Sequence, residues 1–233
     1  MDIHKPNFVK GLALEVFVIV VGISLAITAE RLVESARDAS EAKRVMTRMI
    51  VELARDSSDL ALNIEYLTRA GVSDSLLTEW SRGRIELDSD SISVHASNSL
   101  LYTWFASSTA EIEALKSSGK LHLIENEEFL VKLLRHYDRY SDFDIARAWA
   151  ERASLQLLDL YQRNTSMTTP PPPAQPWYQM DGAQLGRNLR GNQLLENYLQ
   201  HKKYVDLEIL RRTRSALARA GALLAELRSE RGH

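Results

Sequence analysis

The run Gly11–Ala29 constrains this chain more than any other feature. It is 19 residues long and carries one charge, Glu15. As an α-helix it would be about 28 Å long, close to the hydrocarbon thickness of a bilayer. From Val16 to Leu25 it is aliphatic, aromatic or β-branched on nearly all sides, which does not suit a half-wetted surface helix. The expectation is a transmembrane helix bounded by Lys10 on one side and by Glu30 and Arg31 on the other. Two readings compete with it. One is a buried core helix. The other is a cleaved leader, because Ser24-Leu25-Ala26 resembles a small-x-small processing site.

Within the run, Glu15, Gly22 and Ala29 are spaced by seven, and Ala26 follows Gly22 by one turn. The four project on one side of a helix. Gly22-x-x-x-Ala26 has the small-x-x-x-small spacing that lets two membrane helices approach closely. Glu15 lies near the interface, where the positive end of the helix dipole favours a carboxylate. The stripe Glu15, Gly22, Ala26 and Ala29 is therefore the candidate contact face for another membrane helix. Positive-charge counting does not separate the two flanks. A short N-terminal tail ahead of such a helix favours an N-in orientation, with the rest of the chain periplasmic at a bacterial inner membrane.

Five of the six prolines fall between Pro170 and Pro176, so the remainder is poor in helix breakers. After Glu30, the positions Leu32, Ala36, Ala39, Ala42, Met46, Met49, Leu53, Leu60, Ile64 and Leu67 step mostly by three or four. This reads as one amphipathic rod up to Gly71. Further expectations are a short helix over 73–83, a loop over 84–96 and a helix over 98–106. Ser108 and Glu111 form a capping box. Gly119 is expected as a helix stop. Asn126 should cap a helix facing inward with Phe129, Leu130, Leu133, Leu134 and Tyr137. A helix over 143–164 follows, with Ile145, Trp149, Leu155, Leu158 and Tyr161 inward. The four prolines from Pro170 read as a polyproline spacer. From Asn192 to about Arg231, Leu195, Leu199, Leu210, Leu217, Leu224 and Leu227 mark a long helix able to lie antiparallel to the rod.

The expected fold class is all-α: a single N-terminal transmembrane helix continuing into a long-helix antiparallel bundle. The divisions are a tail (1–10), the transmembrane helix (11–29), a helical domain (30–167), a Pro-rich linker (168–176) and a C-terminal long helix packing back (177–233).

Two segments resemble a known family. Glu15-V-F-V-I-V-V-Gly22-I-S-L-Ala26 is similar to the E-I-V-L-V-V-I-G-I-L-I-A membrane helix of an uncharacterised bacterial family of single-pass membrane proteins, a domain of unknown function. Ala114-L-K-S-S-G-K-L-H-L-Ile124-E-N resembles an A-L-K-S-S-G-K-L-x-L-I-x-N turn of the same family, and GNQLLENYLQHKKYVDLEIL is a looser match. Members usually continue after the membrane helix with Asn, Gln and Trp, where this chain has Thr28-Ala29-Glu30-Arg31. The resemblance implies a topology and a helical domain, and no activity.

Catalytic patterns are absent from the sequence. There is no cysteine, which removes thiolate chemistry and disulfides. The six histidines include no i, i+3 or i, i+4 pair. No Walker loop, G-x-S-x-G or G-x-G-x-x-G occurs. Asp138, Asp142 and Asp144 lack the glycine and final glutamate of a calcium loop. The net charge of −2 argues against a polyanion-binding chain as a whole. From His201 onward, basic residues exceed acids, and Lys202, Lys203, Arg211, Arg212 and Arg214 form a candidate basic contact face for headgroups or an acidic partner. No aromatic platform accompanies them, so nucleic acid is not expected.

The functional expectation is a non-enzymatic, membrane-anchored accessory or structural subunit of a larger membrane complex, of the respiratory or photosynthetic energy-transducing kind. It needs no cofactor or metal, and its partners are the bilayer and other membrane subunits. Alternatives are a self-assembling homo-oligomeric scaffold and an extracytoplasmic sensor module.

Overall fold

A computed structural model describes residues 6–103, 105–168 and 178–231, with side chains between residues 15 and 229. The fold is all-α. Its helices are α1 (Pro6–Ser81), α2 (Ser89–Asn98), α3 (Ala110–Ser118), α4 (Glu127–Asp138), α5 (Ser141–Asn164), α6 (Gly182–Leu189) and α7 (Gln193–Arg231). A 3-10 turn, Lys120–Leu123, links α3 to α4. Two-residue strands Met167–Thr168 and Gln179–Met180 pair antiparallel, Thr168 opposite Gln179. They close the base of the Pro-rich segment, whose residues 169–177 lie outside the described residues.

α1 is one helix of 76 residues, about 114 Å long at the standard rise. Gly71 does not end it. An interior glycine costs about 1 kcal/mol in helix propensity, but Leu67, Ala70, Asp74 and Leu77 around it are all buried. That packing carries the helix through to Ser81, so the expected separate helix over 73–83 is the last part of α1. The turn beyond it holds Gly83 at φ +67°.

α7 runs antiparallel to α1. Val45, Met49 and Leu53 share a core with Ala216, Leu223, Leu224 and Leu227. Leu67 meets Val205, Ile209 and Leu210. Leu77 and Trp80 meet Leu195 and Leu199 at the far end. The apolar stripe of α7 lies where its leucine spacing puts it.

Between these rods the local reading and the structure diverge. Residues 84–96 were expected as a loop, yet α2 occupies 89–98. Asp88 caps it, accepting from the Ser91 N–H at 2.7 Å. Burial of Ile92 and Ala96 outweighs the poor helix propensity of its serines and aspartate. The helix expected over 98–106 is absent among the described residues there. Ser99–Thr109 is instead an irregular strap, with Leu101 and Phe105 buried and the Thr103 hydroxyl donating to Asn63 Oδ1 at 2.9 Å. Trp104 lies outside the described residues.

The capping box at Ser108 and Glu111 does not form. Thr109 precedes α3 without a side-chain cap. The N–H groups at this end are satisfied from α1: Ser108 donates to Asp56 at 2.8 Å and Glu111 donates to Glu52 at 3.2 Å. The Glu111 side chain pairs with Arg48 through two bonds of 2.6 and 2.7 Å. Carboxylates of a distant helix thus replace the local cap. Gly119 closes α3 at φ +70°, and Asn126 caps α4 by accepting from Phe129 N–H at 3.0 Å, both as their positions suggest.

α5 buries a face other than the expected one. Ile145, Trp149 and Leu155 are 60%, 59% and 54% exposed, while Ala146, Ala150, Ala153, Leu157 and Leu160 face inward with Tyr161. The small residues let α5 approach α7 closely. α6 is capped by Asp181, which accepts from Gln184 N–H at 2.9 Å.

Candidate functional site

The first candidate is the free part of α1. The nine large apolar residues from Val16 to Ile27 are each 39–66% exposed. Over this stretch the mean hydropathy reaches 2.1 and nothing is buried within the chain. α1 is thus one helix long and apolar enough to cross a membrane. An exposed apolar surface of this extent is costly in water and marks a contact with lipid or protein. Thr28 returns its hydroxyl to Ser24 O at 2.7 Å, so the backbone absorbs this polar group. Glu15, Gly22, Ala26 and Ala29 are all exposed, and a Cβ on Gly22 would meet nothing within 4 Å. Within this chain no element covers that stripe among the described residues.

The candidate basic face on α7 is only partly a face. Lys202 is fully buried and pairs with Asp206 one turn away, with Asp74 of α1 at 3.9 Å. It is a core residue, drawn in because Asp74 and Asp206 are themselves buried. Arg211 and Arg212 both pair with Glu208, at 2.9 Å each, so one of their two charges is matched locally. Those two arginines hold the Glu208 carboxyl down at about 2. Lys203 and Arg214 remain exposed.

The buried triad Asp74, Lys202 and Asp206 has two carboxylates against one ammonium. Neither oxygen of Asp74 has a hydrogen-bond partner. Burial pushes its carboxyl up to about 8, against the pull of Lys202 and with added repulsion from Asp206. At neutral pH Asp74 therefore keeps its proton, and the triad is electrically balanced. No residue pattern within α7 could have revealed this, because Asp74 lies on a different helix.

A second buried polar set joins α1 to α4. Tyr140 hydroxyl and His136 Nε2 are 2.6 Å apart, and Asp56 stands beside Tyr140 while accepting from Ser108. Burial and the nearby charge of Arg219 push His136 down to about 4, so it is neutral at physiological pH. Burial raises Asp56. His95, half-buried and depressed by burial, meets the Ser73 hydroxyl at 3.1 Å.

A cavity of about 580 Å³ lies between α1, α2, the strap and α5. Tyr66, Leu100, Tyr102, Leu155, Leu158 and Tyr178 line it, together with Ser97 and Ser154. Both serine hydroxyls are buried without a partner. Its volume and apolar lining suit a small organic molecule. Among the described residues, no three His, Asp or Glu side chains are grouped to hold a metal. Asp144 of the acidic run is exposed and pairs with Arg147 at 3.2 Å.

No family model, curated protein or solved structure matches this chain.

Proposed function

We propose that this chain is a single-pass, membrane-anchored helical subunit of a larger membrane assembly, without catalytic activity of its own. In this reading α1 crosses a bacterial inner membrane, its N-terminus is cytoplasmic and the bundle stands in the periplasm. The observation that carries it is the division of α1 into two regimes. From Glu15 to Arg37 every residue is exposed, with the apolar run first; beyond Asp38 the same helix is packed by α7 and the elements between. A partner helix seats on the Glu15, Gly22, Ala26 and Ala29 stripe, where the absence of side-chain bulk allows close packing.

The test is migration of the full-length protein on native gels after extraction in a mild detergent. The expected result is comigration with other subunits, lost in Gly22→Leu with the bundle's helical signal intact. A lone monomer that keeps its fold, or a Gly22→Leu chain that comigrates unchanged, sinks the proposal. A band containing only copies of this chain would select the homo-oligomeric scaffold. The 580 Å³ cavity favours a second reading, an extracytoplasmic ligand-sensing module. Under it, a bound apolar ligand protects the amides of α2 from hydrogen exchange.

A further inference from the structure

α4 and α7 enclose a groove of about 220 Å³. Lys132 and Arg135 reach it from α4, Arg139 from the residue that ends α4 and Arg219 from α7, with His136 also in its wall and Glu226 as the one acid among the described lining residues. Glu226 is already engaged with Lys132 at 3.3 Å, and Glu128 meets the same ammonium at 3.0 Å. Arg135, Arg139 and Arg219 have no carboxylate within ion-pairing distance among the described residues.

Lack of an ion pair does not by itself set them apart: Arg69, Arg84 and Arg190 pair with a nearby acid, but the exposed Arg31, Arg37, Arg152, Arg187 and Arg214 have no ion pair among the described residues. In the groove, however, guanidinium groups crowd one another. The charge of Arg139, added to burial, lowers the proton affinity of Arg219. Arg219 uses one terminal nitrogen on Ser215 Oγ at 2.7 Å, while its Nε is buried with no partner. His136 is 1% exposed and its Nδ1 also has no partner. The Tyr140 hydroxyl, 2.6 Å from Nε2, also hydrogen-bonds Asp56, and it has one proton to give to one of the two. Unmade hydrogen bonds on buried donors and uncompensated like charges each cost free energy. One negatively charged oxygen-bearing group would relieve both, and planar guanidinium forks match its geometry.

We infer that this groove is a binding site for a small oxyanion, a phosphate or carboxylate group. The volume suits a single anionic group or a small molecule carrying one. Asp56, which stands beside Tyr140, lies 27 residues beyond Ala29, about 40 Å along the helix. The groove is therefore far from the apolar end of α1, and the anion comes from solution rather than from a lipid headgroup.

The experiment uses full-length protein in a neutral detergent and follows inorganic phosphate by 31P NMR, with succinate as a carboxylate probe by calorimetry. Ionic strength is held with chloride. Saturable binding of at least one probe is expected, weakened about tenfold or more in Arg139→Gln and in Arg219→Gln. Arg139 is exposed, so its variant keeps the fold, and helical content by circular dichroism checks both. In chloride alone Arg139→Gln should melt at or above wild type, because a repulsion is gone, and phosphate should no longer raise its melting temperature. The inference is overturned if neither probe binds saturably to wild type, or if both variants bind as wild type does. It is also overturned if anionic vesicles bind through these residues while both soluble probes fail.

Discussion

The buried carboxylate Asp74 makes a quantitative demand on the pH dependence of stability. In the fold its carboxyl titrates near 8, against 3.8 for an ordinary aspartate. A folded-state value above the unfolded one means that the native chain holds a proton which the unfolded chain has released. The resulting stabilisation is fully present below 3.8 and is lost as pH rises towards 8. Within that window a single group contributes a slope of about 1.4 kcal/mol per pH unit. Between pH 5 and pH 7 the loss is about 2.7 kcal/mol. Asp74→Asn keeps the shape of the protonated side chain and removes the titration. Asp56, Asp206 and Glu52 are raised and His136 is lowered, so the total profile is composite. The difference between wild type and Asp74→Asn isolates Asp74. The assay is urea unfolding of full-length protein in nonionic detergent, read by tryptophan fluorescence, to which Trp80, 2% exposed in the fold, contributes. The variant should gain on wild type by about 2.7 kcal/mol from pH 5 to pH 7. Parallel profiles across that range would show that Asp74 is ionised in the fold and would refute the reasoning. Lys202→Met supplies the complement: it strands Asp206 without its cation and should cost about 3–5 kcal/mol near neutral pH.

Two glycines should respond in opposite directions. Gly71→Ala meets nothing within 4 Å inside α1 and should raise the urea midpoint, by about 0.5–1 kcal/mol. Gly182→Ala would place its Cβ 1.8 Å from the Ser89 carbonyl oxygen, where α6 touches α2, and should cost about 1–3 kcal/mol or more as those helices part. Phe129→Ala empties a fully buried site between α4 and α1 and should cost about 3–5 kcal/mol in the same measurement.

The long elements were legible because one apolar stripe repeated over many turns has a single geometric solution. α1 beyond Glu41, α4 and α7 follow that rule, and Gly119 and Asn126 act through contacts within their own turn. What misled the reading was local chemistry overruled from a distance. The Ser/Asp-rich α2 is held helical by Ile92 and Ala96, and the N-terminus of α3 takes its caps from Glu52 and Asp56. α5 carries two candidate stripes. The alanine side won the interior because closeness to α7 mattered more than side-chain bulk, and Ile145 and Trp149 were left outside. The candidate sites followed the same division. The Glu15–Ala29 stripe lies on one helix and could be proposed from spacing. The spacing of Lys202 and Asp206 suggests an ion pair but not the presence of Asp74, 128 residues away. Counting charge along α7 alone missed the basic groove, because Lys132, Arg135 and Arg139 sit on α4 and its C-terminal cap.

Continuity of α1 fixes where a membrane partner can stand relative to the bundle. Gly22 and Met49 are 27 residues apart, about seven and a half turns, so they point in opposite directions. Met49 is fully buried against the bundle. A helix seated on Gly22 therefore approaches α1 from the side away from α7, and does not compete with it. Val33 is 11 residues from Gly22, about three turns, and shares the stripe's direction; Arg31, nine residues on, points about two and a half turns round to the other side. Both are exposed. The chain has no cysteine, so single replacements label without background. With a short thiol-linked photocrosslinker in native membranes, Val33→Cys should form an adduct with a partner, and Arg31→Cys should form little. Gly22→Leu should abolish the Val33 adduct, since the two sites report one contact. Equal adducts at both positions, or a Val33 adduct indifferent to Gly22→Leu, would mean that the stripe does not face a partner.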